Sequence, residues 1–127
     1  MEEIIEKFIL EHIEPEFIII FGSFVRGELR LDSDIDIAFY VDYKGIDPFR
    51  TFTLGNQLAM KLKRDVDLID LANASTVFRS IILGEGKVIY CKDENIFNEF
   101  LVLSMSMYAQ LNEDRREILE SRLNGEW

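Results

Sequence analysis

Phe17-Ile18-Ile19-Ile20-Phe21-Gly22-Ser23 and, after a ten-residue spacer, Asp34-Ile35-Asp36-Ile37-Ala38-Phe39-Tyr40-Val41 are the stretches from which the fold is read. The first is a short unbroken apolar run stopped by glycine, the composition of a strand covered on both faces, so it is expected at the centre of a sheet. The second alternates Asp34, Asp36, Ala38 and Tyr40 with Ile35, Ile37, Phe39 and Val41, which is the period of a strand with two different faces. Asp34 and Asp36 then share a face, with Cα atoms roughly 6 to 7 Å apart. A strand that opens on two convergent acids needs a reason for them.

Outward from this pair the chain alternates helices and strands. Ile4, Ile5, Phe8, Ile9 and Ile13 recur at helical spacing over residues 2 to 13, with Pro15 as the stop. Phe52, Leu54, Leu58, Ala59 and Leu62 predict a second helix over residues 49–62, weakened by Gly55. Val66 to Leu71 reads as a third strand, Val77 to Leu83 as a short helix closed by Gly84, and Lys87 to Tyr90 as a fourth strand. From Asp93 to about residue 123, Ile96, Phe97, Phe100, Leu101, Met105, Tyr108 and Leu111 mark a long terminal helix, thinly continued by Ile118 and Leu123. Val102, Leu103 and Met107 lie off that stripe and exceed what one small sheet can cover. The expectation is an α/β (α+β) fold: a small mixed sheet flanked by helices, as one domain over residues 1–127.

Composition narrows the function classes. Apolar residues make up 48% of the chain and charged residues 30%, with two prolines, which excludes disordered and low-complexity readings. The 24 acidic residues against 14 basic ones give a net charge of −10, so an extended nucleic-acid groove is disfavoured. A compact polyphosphate is not, because divalent cations reverse the sign of a carboxylate-lined site. One cysteine, no signal peptide and no long apolar run point to the cytoplasm.

The acids suggest what the site holds. Two carboxylates aimed at one point resist joint ionisation, whereas a divalent cation such as Mg²⁺ replaces their repulsion with attraction. Asp67 lies inside an apolar strand, where an unpaired charge is costly to bury, and becomes a third ligand if that strand neighbours the second. Such a set can hold two cations for in-line phosphoryl displacement. Asp65, beside Arg64 at the strand mouth, and Asp70, facing the other way, compete less well for the role, and an ion pair of Asp67 with Lys63 or Arg64 is its structural alternative. Gly22 lets backbone approach a ligand, Ser23 adds a hydroxyl and an N–H, and a helical turn at Ser23 to Val25 would add a phosphate-binding dipole. Arg26 is either a fork for a phosphate or a plain surface charge. His12 reads as a helix-end residue and Cys91 as a small hydrophobe.

Phe21-Gly22-Ser23-Phe24-Val25-Arg26-Gly27, Ser33-Asp34-Ile35-Asp36-Ile37 and Val66-Asp67-Leu68-Ile69 together resemble the minimal nucleotidyltransferases (MNT proteins) of the polymerase beta type. The resemblance implies the polymerase-beta-like nucleotidyltransferase fold and transfer of a nucleoside monophosphate, typically from ATP, to a hydroxyl, with pyrophosphate released. It implies that Asp34 and Asp36 hold two Mg²⁺ ions, that Asp67 holds one and helps deprotonate the acceptor, and that Gly22, Ser23, Arg26 and Ser33 bind the nucleotide. No acceptor-gripping domain follows Tyr90, so the acceptor must bring its own surface, which a folded protein does better than a metabolite. The Phe78-Arg79-Ser80-Ile81-Ile82-Leu83 pattern, Val88-Ile89-Tyr90 and the terminal helix with Tyr108 further resemble the MNT antitoxins paired with HEPN toxins, which adenylylate a tyrosine of the toxin. A non-catalytic antitoxin acting by occlusion, and an enzyme acting on a small molecule or RNA end with an acceptor site built between two copies, are the alternatives.

Overall fold

A computed structural model describes residues 1–28 and 33–123, apart from the side chains of 118, 119 and 121–123. The elements are helix α1 (Glu2–His12), strand β1 (Phe17–Phe21), a 3-10 turn (Gly22–Phe24), strand β2 (Ile35–Tyr40) and helix α2 (Pro48–Leu62). Strand β3 (Val66–Asp70), a second 3-10 turn (Leu71–Asn73), helix α3 (Thr76–Glu85), strand β4 (Lys87–Cys91) and helix α4 (Glu94–Leu123) complete them. The sheet order is β3-β2-β1-β4, with β1 antiparallel to both its neighbours and β2 parallel to β3. This is the mixed, helix-flanked sheet expected, with β1 in its interior.

Every residue of β1 is buried, and alternation splits them between two cores. Ile18 and Ile20 join Ile35, Ile37 and Phe39 under α1 and α2. Phe17, Ile19 and Phe21 join Ala38, Leu71, Ile82 and Phe100 under α3 and α4. Phe17 is the aromatic anchor of the second core, with Phe97 edge-on at 5.0 Å and Tyr40 stacked at 5.4 Å. The parity that sends Phe21 and Ala38 to the α3 side also sends Asp34, Asp36 and Asp67 there.

Local chemistry sets the ends. Asp47 caps α2 by accepting from Phe49 N–H at 2.9 Å, with Pro48 in the first turn, and Lys63 closes it in a left-handed conformation. Gly55 is buried on the face of α2 toward β3, where a Cβ would stand 3.4 Å from Leu68 Cβ, an ordinary packing contact. Ser75 caps α3, which runs through Gly84 to Glu85, two residues beyond the expected stop. Its true stop is Gly86, where a Cβ would stand 2.3 Å from Ile19 Cγ2 and 2.6 Å from the Ile82 carbonyl. His12 ends α1 as expected, its Nδ1–H donating to the Phe8 carbonyl at 2.7 Å. On α4, Val102 and Leu103 are 64% and 56% exposed, the surplus apolar surface anticipated from the helical stripe. Among the described residues no helix is long and apolar enough to cross a membrane.

Gly86→Ala forces side chain and backbone apart at the α3–β4 junction and is expected to cost about 1 to 3 kcal/mol of folding free energy. Urea unfolding followed by circular dichroism measures it.

Candidate active site

The site grows out of the register of three strands. Phe21, the last residue of β1, pairs with Asp36, and Asp36 pairs with Asp67 across the parallel β2–β3 ladder. Register partners in a sheet share a face, so Asp67 stands beside Asp36, while Asp34 lies two residues before it on the same side. Gly22, Asp36 and Asp67, far apart in sequence, thus meet at one end of the sheet. Asp34 lies just outside β2 and is exposed, and Ser33 immediately before it is half-buried.

Gly22 makes room for Asp36. Its φ of +73° is one an L side chain rarely adopts, and a Cβ there would lie 2.2 Å from Asp36 Oδ2. The carboxylate therefore rests directly against the main chain that leaves β1. From this point the backbone enters the 3-10 turn, with Val25 and Arg26 N–H both reaching back to the Gly22 carbonyl at 3.2 Å. Ser23 and Phe24 occupy the first turn, whose N–H groups have no acceptor within the helix. The expected helical turn after Ser23 is present; the rest of that segment, residues 29–31, lies outside the described residues.

The charges of the neighbouring acids bear on Asp36. Burial lifts the Asp36 carboxyl above the ordinary 3.8, the Asp67 and Asp34 charges lift it further, and Arg26 pulls it part of the way back. Among the described residues, no three His, Cys, Asp or Glu side chains are drawn together into a ready metal cage. The three acids nevertheless fit a hard cation: the donors are all carboxylate oxygens, the charges of Asp67 and Asp34 both bear on Asp36, and Gly22 leaves room beside the Asp36 carboxylate.

One expectation needs correcting. Asp67 is exposed, because β3 is an edge strand, so its place is fixed by register and not by the cost of burying it. Arg26, read as a phosphate fork or a surface charge, is half-exposed with acidic partners: its Nε–H meets Glu28 Oε2 at 3.2 Å and its guanidinium lies 3.9 Å from Glu85 Oε2. These are exposed pairs worth little in stability, and Arg26 still acts on Asp36 through its charge. Glu85, brought in by α3, gave no local signal in sequence. Asp70 is buried and accepts from Ile46 N–H at 2.8 Å, Ala72 N–H at 3.1 Å and Asn73 Nδ2 at 3.2 Å. It fastens the far end of β3 and leaves Asp67 as the acid at the site.

Comparison with known proteins agrees with this geometry. Residues 2–95 match the model of the family described as polymerase beta, nucleotidyltransferase. The chain belongs to that family. It is 35% identical over 107 residues to the protein adenylyltransferase MntA of Shewanella oneidensis, covering 83% of this chain and 74% of that one. A chain from the crystal structure of a toxin–antitoxin complex with AMP-PNP is 33% identical and superposes with a TM-score of 0.85, over 96% of this chain and 98% of that one. A chain from the complex of tri-AMPylated Shewanella oneidensis HEPN toxin with MNT antitoxin is 31% identical, with a TM-score of 0.79 over 96% and 95% of the two chains. The resemblance read from the Gly-Ser and Asp-x-Asp motifs and the expected fold are both borne out.

The raised Asp36 value carries a sign. A folded state that holds this proton more tightly than the unfolded chain gains stability below pH 3.8 and loses that gain as the pH rises through the elevated value. Ionised Asp36 is therefore a destabilising group at neutral pH. Asp36→Asn is expected to melt above the wild type at pH 7 in metal-free buffer, with the advantage shrinking toward pH 4, as calorimetry across that range reads directly.

Proposed function

We propose that this protein is a Mg²⁺-dependent protein adenylyltransferase that acts as an antitoxin, transferring AMP from ATP to a tyrosine hydroxyl of a cognate HEPN-type toxin. The observation that carries the reading is the juxtaposition of Asp36 with Gly22 on one side and Asp67 on the other, on the fold of a nucleotidyltransferase. Its support from relatives is the adenylyltransferase activity named for MntA and the AMPylated toxin held by an MNT antitoxin. The reading places the protein in the cytoplasm, where its nucleotide is.

In this assignment Asp34, Asp36 and Asp67 would hold two Mg²⁺ ions. Bound there, the ions would supply charge neutralisation at the triphosphate. The chain's own residues do the rest. Gly22 and Ser23 receive the outer phosphates on the N–H groups of the 3-10 turn, and Ser33, half-buried just before Asp34, joins them in binding the nucleotide. Arg26 adds positive potential from the rim and must share it with Glu28 and Glu85. Asp67, exposed on the edge strand, can accept the proton of an arriving hydroxyl, whose oxygen bonds to the α-phosphorus as the bond to the bridging oxygen breaks and pyrophosphate leaves.

Incubation with α-labelled ATP, Mg²⁺ and the toxin encoded beside it is expected to label the toxin. Asp36→Ala and Asp67→Ala are each expected to lower labelling by about a hundredfold or more, and chelation of Mg²⁺ to abolish it. Asp36→Ala is also expected to fail to rescue growth from the toxin. Full rescue by that variant would assign neutralisation to occlusion.

A further inference from the structure

The outer edge of β3 is open, and its ladder with β2 dictates which main-chain groups face outward. Ile35 N–H donates to the Asp65 carbonyl at 2.9 Å, and Ile35 pairs with Val66. In a parallel ladder this places the N–H and C=O of Asp65, Asp67 and Ile69 toward β2, so those of Val66 and Leu68 point away from the sheet. Among the described residues no strand pairs with that side. Beside it lies a cleft of about 380 Å³, floored by Leu68 and Ile69 and walled by Pro48 and Thr51 of α2 and by Ala74 and Phe78 around the start of α3.

These features specify one kind of occupant. A row of outward N–H and C=O groups on an edge strand is hydrated when free and forms a template on which another extended main chain can pair. The same strand carries Asp67, and Ile69, two residues on and facing the same side, leads into the cleft. We propose that the acceptor polypeptide docks as a fifth strand on β3, its target hydroxyl opposite Asp67 and a bulky apolar side chain two residues away seated in the cleft. This deepens the adenylyltransferase reading and rests on it. It answers a need of that reading, since β3 offers an acceptor-binding surface built from the sheet itself. The substrate class is an extended segment of a protein, with an apolar anchor at a spacing of two from the modified residue.

Two variants and one binding measurement test it. Leu68→Pro removes an outward N–H that the β2 ladder does not use, a placement edge strands tolerate, and Ala74→Trp fills the cleft. Each is expected to raise the KM for the toxin by about tenfold or more, with the affinity for ATP, read by calorimetry, unchanged. Thermal melts establish that both variants fold. Independently, toxin with its acceptor tyrosine replaced by phenylalanine is added to the wild-type protein and amide hydrogen exchange is followed at Val66 and Leu68. Slowing of about tenfold or more at these two amides supports docking on the edge. Wild-type KM values in both variants, or unprotected Val66 and Leu68 in the presence of saturating toxin, would overturn it. If no AMP is transferred to any acceptor, the activity assignment fails, and exchange at the two amides still decides the docking.

Discussion

Like charges held at one end of a small sheet are the constraint around which this protein is arranged. Burial against the chain raises the cost of ionising Asp36, and the charges of Asp67 and Asp34 add to it. Nothing in a folded core rewards such a placement. The surrounding structure over-determines it instead: β1 is buried along its whole length, Gly22 adopts a conformation that leaves space for the carboxylate, and the β2–β3 ladder fixes Asp67 alongside. Stability spent at one point is recovered in the two apolar cores that flank the sheet.

The division of labour among the acids follows from where each lies in the sheet. β2 is flanked on both sides, so Asp36 is partly desolvated and constrained. Among the described residues β3 pairs with one strand, and Asp67 keeps access to solvent and to whatever approaches from outside. A pair of groups that share a charge environment but differ in accessibility suits a site with a fixed binding half and an open reacting half. Asp70, on the same short strand, shows the contrast. Three donors saturate its carboxylate, and Gly45 lies so close that a Cβ there would stand 2.5 Å from Oδ2.

Much of this was legible in sequence because the signals were local. The apolar run Phe17 to Phe21 and the alternation from Asp34 onward dictate strand type and facing through period alone, and the Gly-Ser and Asp-x-Asp motifs at their spacing carry the family. Asp67 could be ranked above Asp70 from the parity of side chains along a strand. What was not legible depended on order in the sheet and on contacts between distant segments. An apolar strand composition suggested that Asp67 was buried, whereas β3 lies at the edge; pattern reports how residues alternate and not how many neighbours the strand has. The pairing of Arg26 with Glu85 had no sequence signal because Glu85 comes from a helix almost sixty residues later. Gly84 was read as the end of α3, while the steric need for a missing Cβ falls on Gly86 against Ile19, a requirement visible only once α3 is packed on β1.

The crossover that places β3 parallel to β2 has a consequence for how the protein comes into being. When the first forty residues have left the ribosome, Phe21 and Asp36 can already be paired across the antiparallel β1–β2 ladder, a pairing of low sequence separation. The third acid arrives only after α2 has been made and folded back. An unfinished chain can thus bring Asp36 against Gly22 while Asp67 has yet to join them, so the set of three acids is completed only late in the order of synthesis.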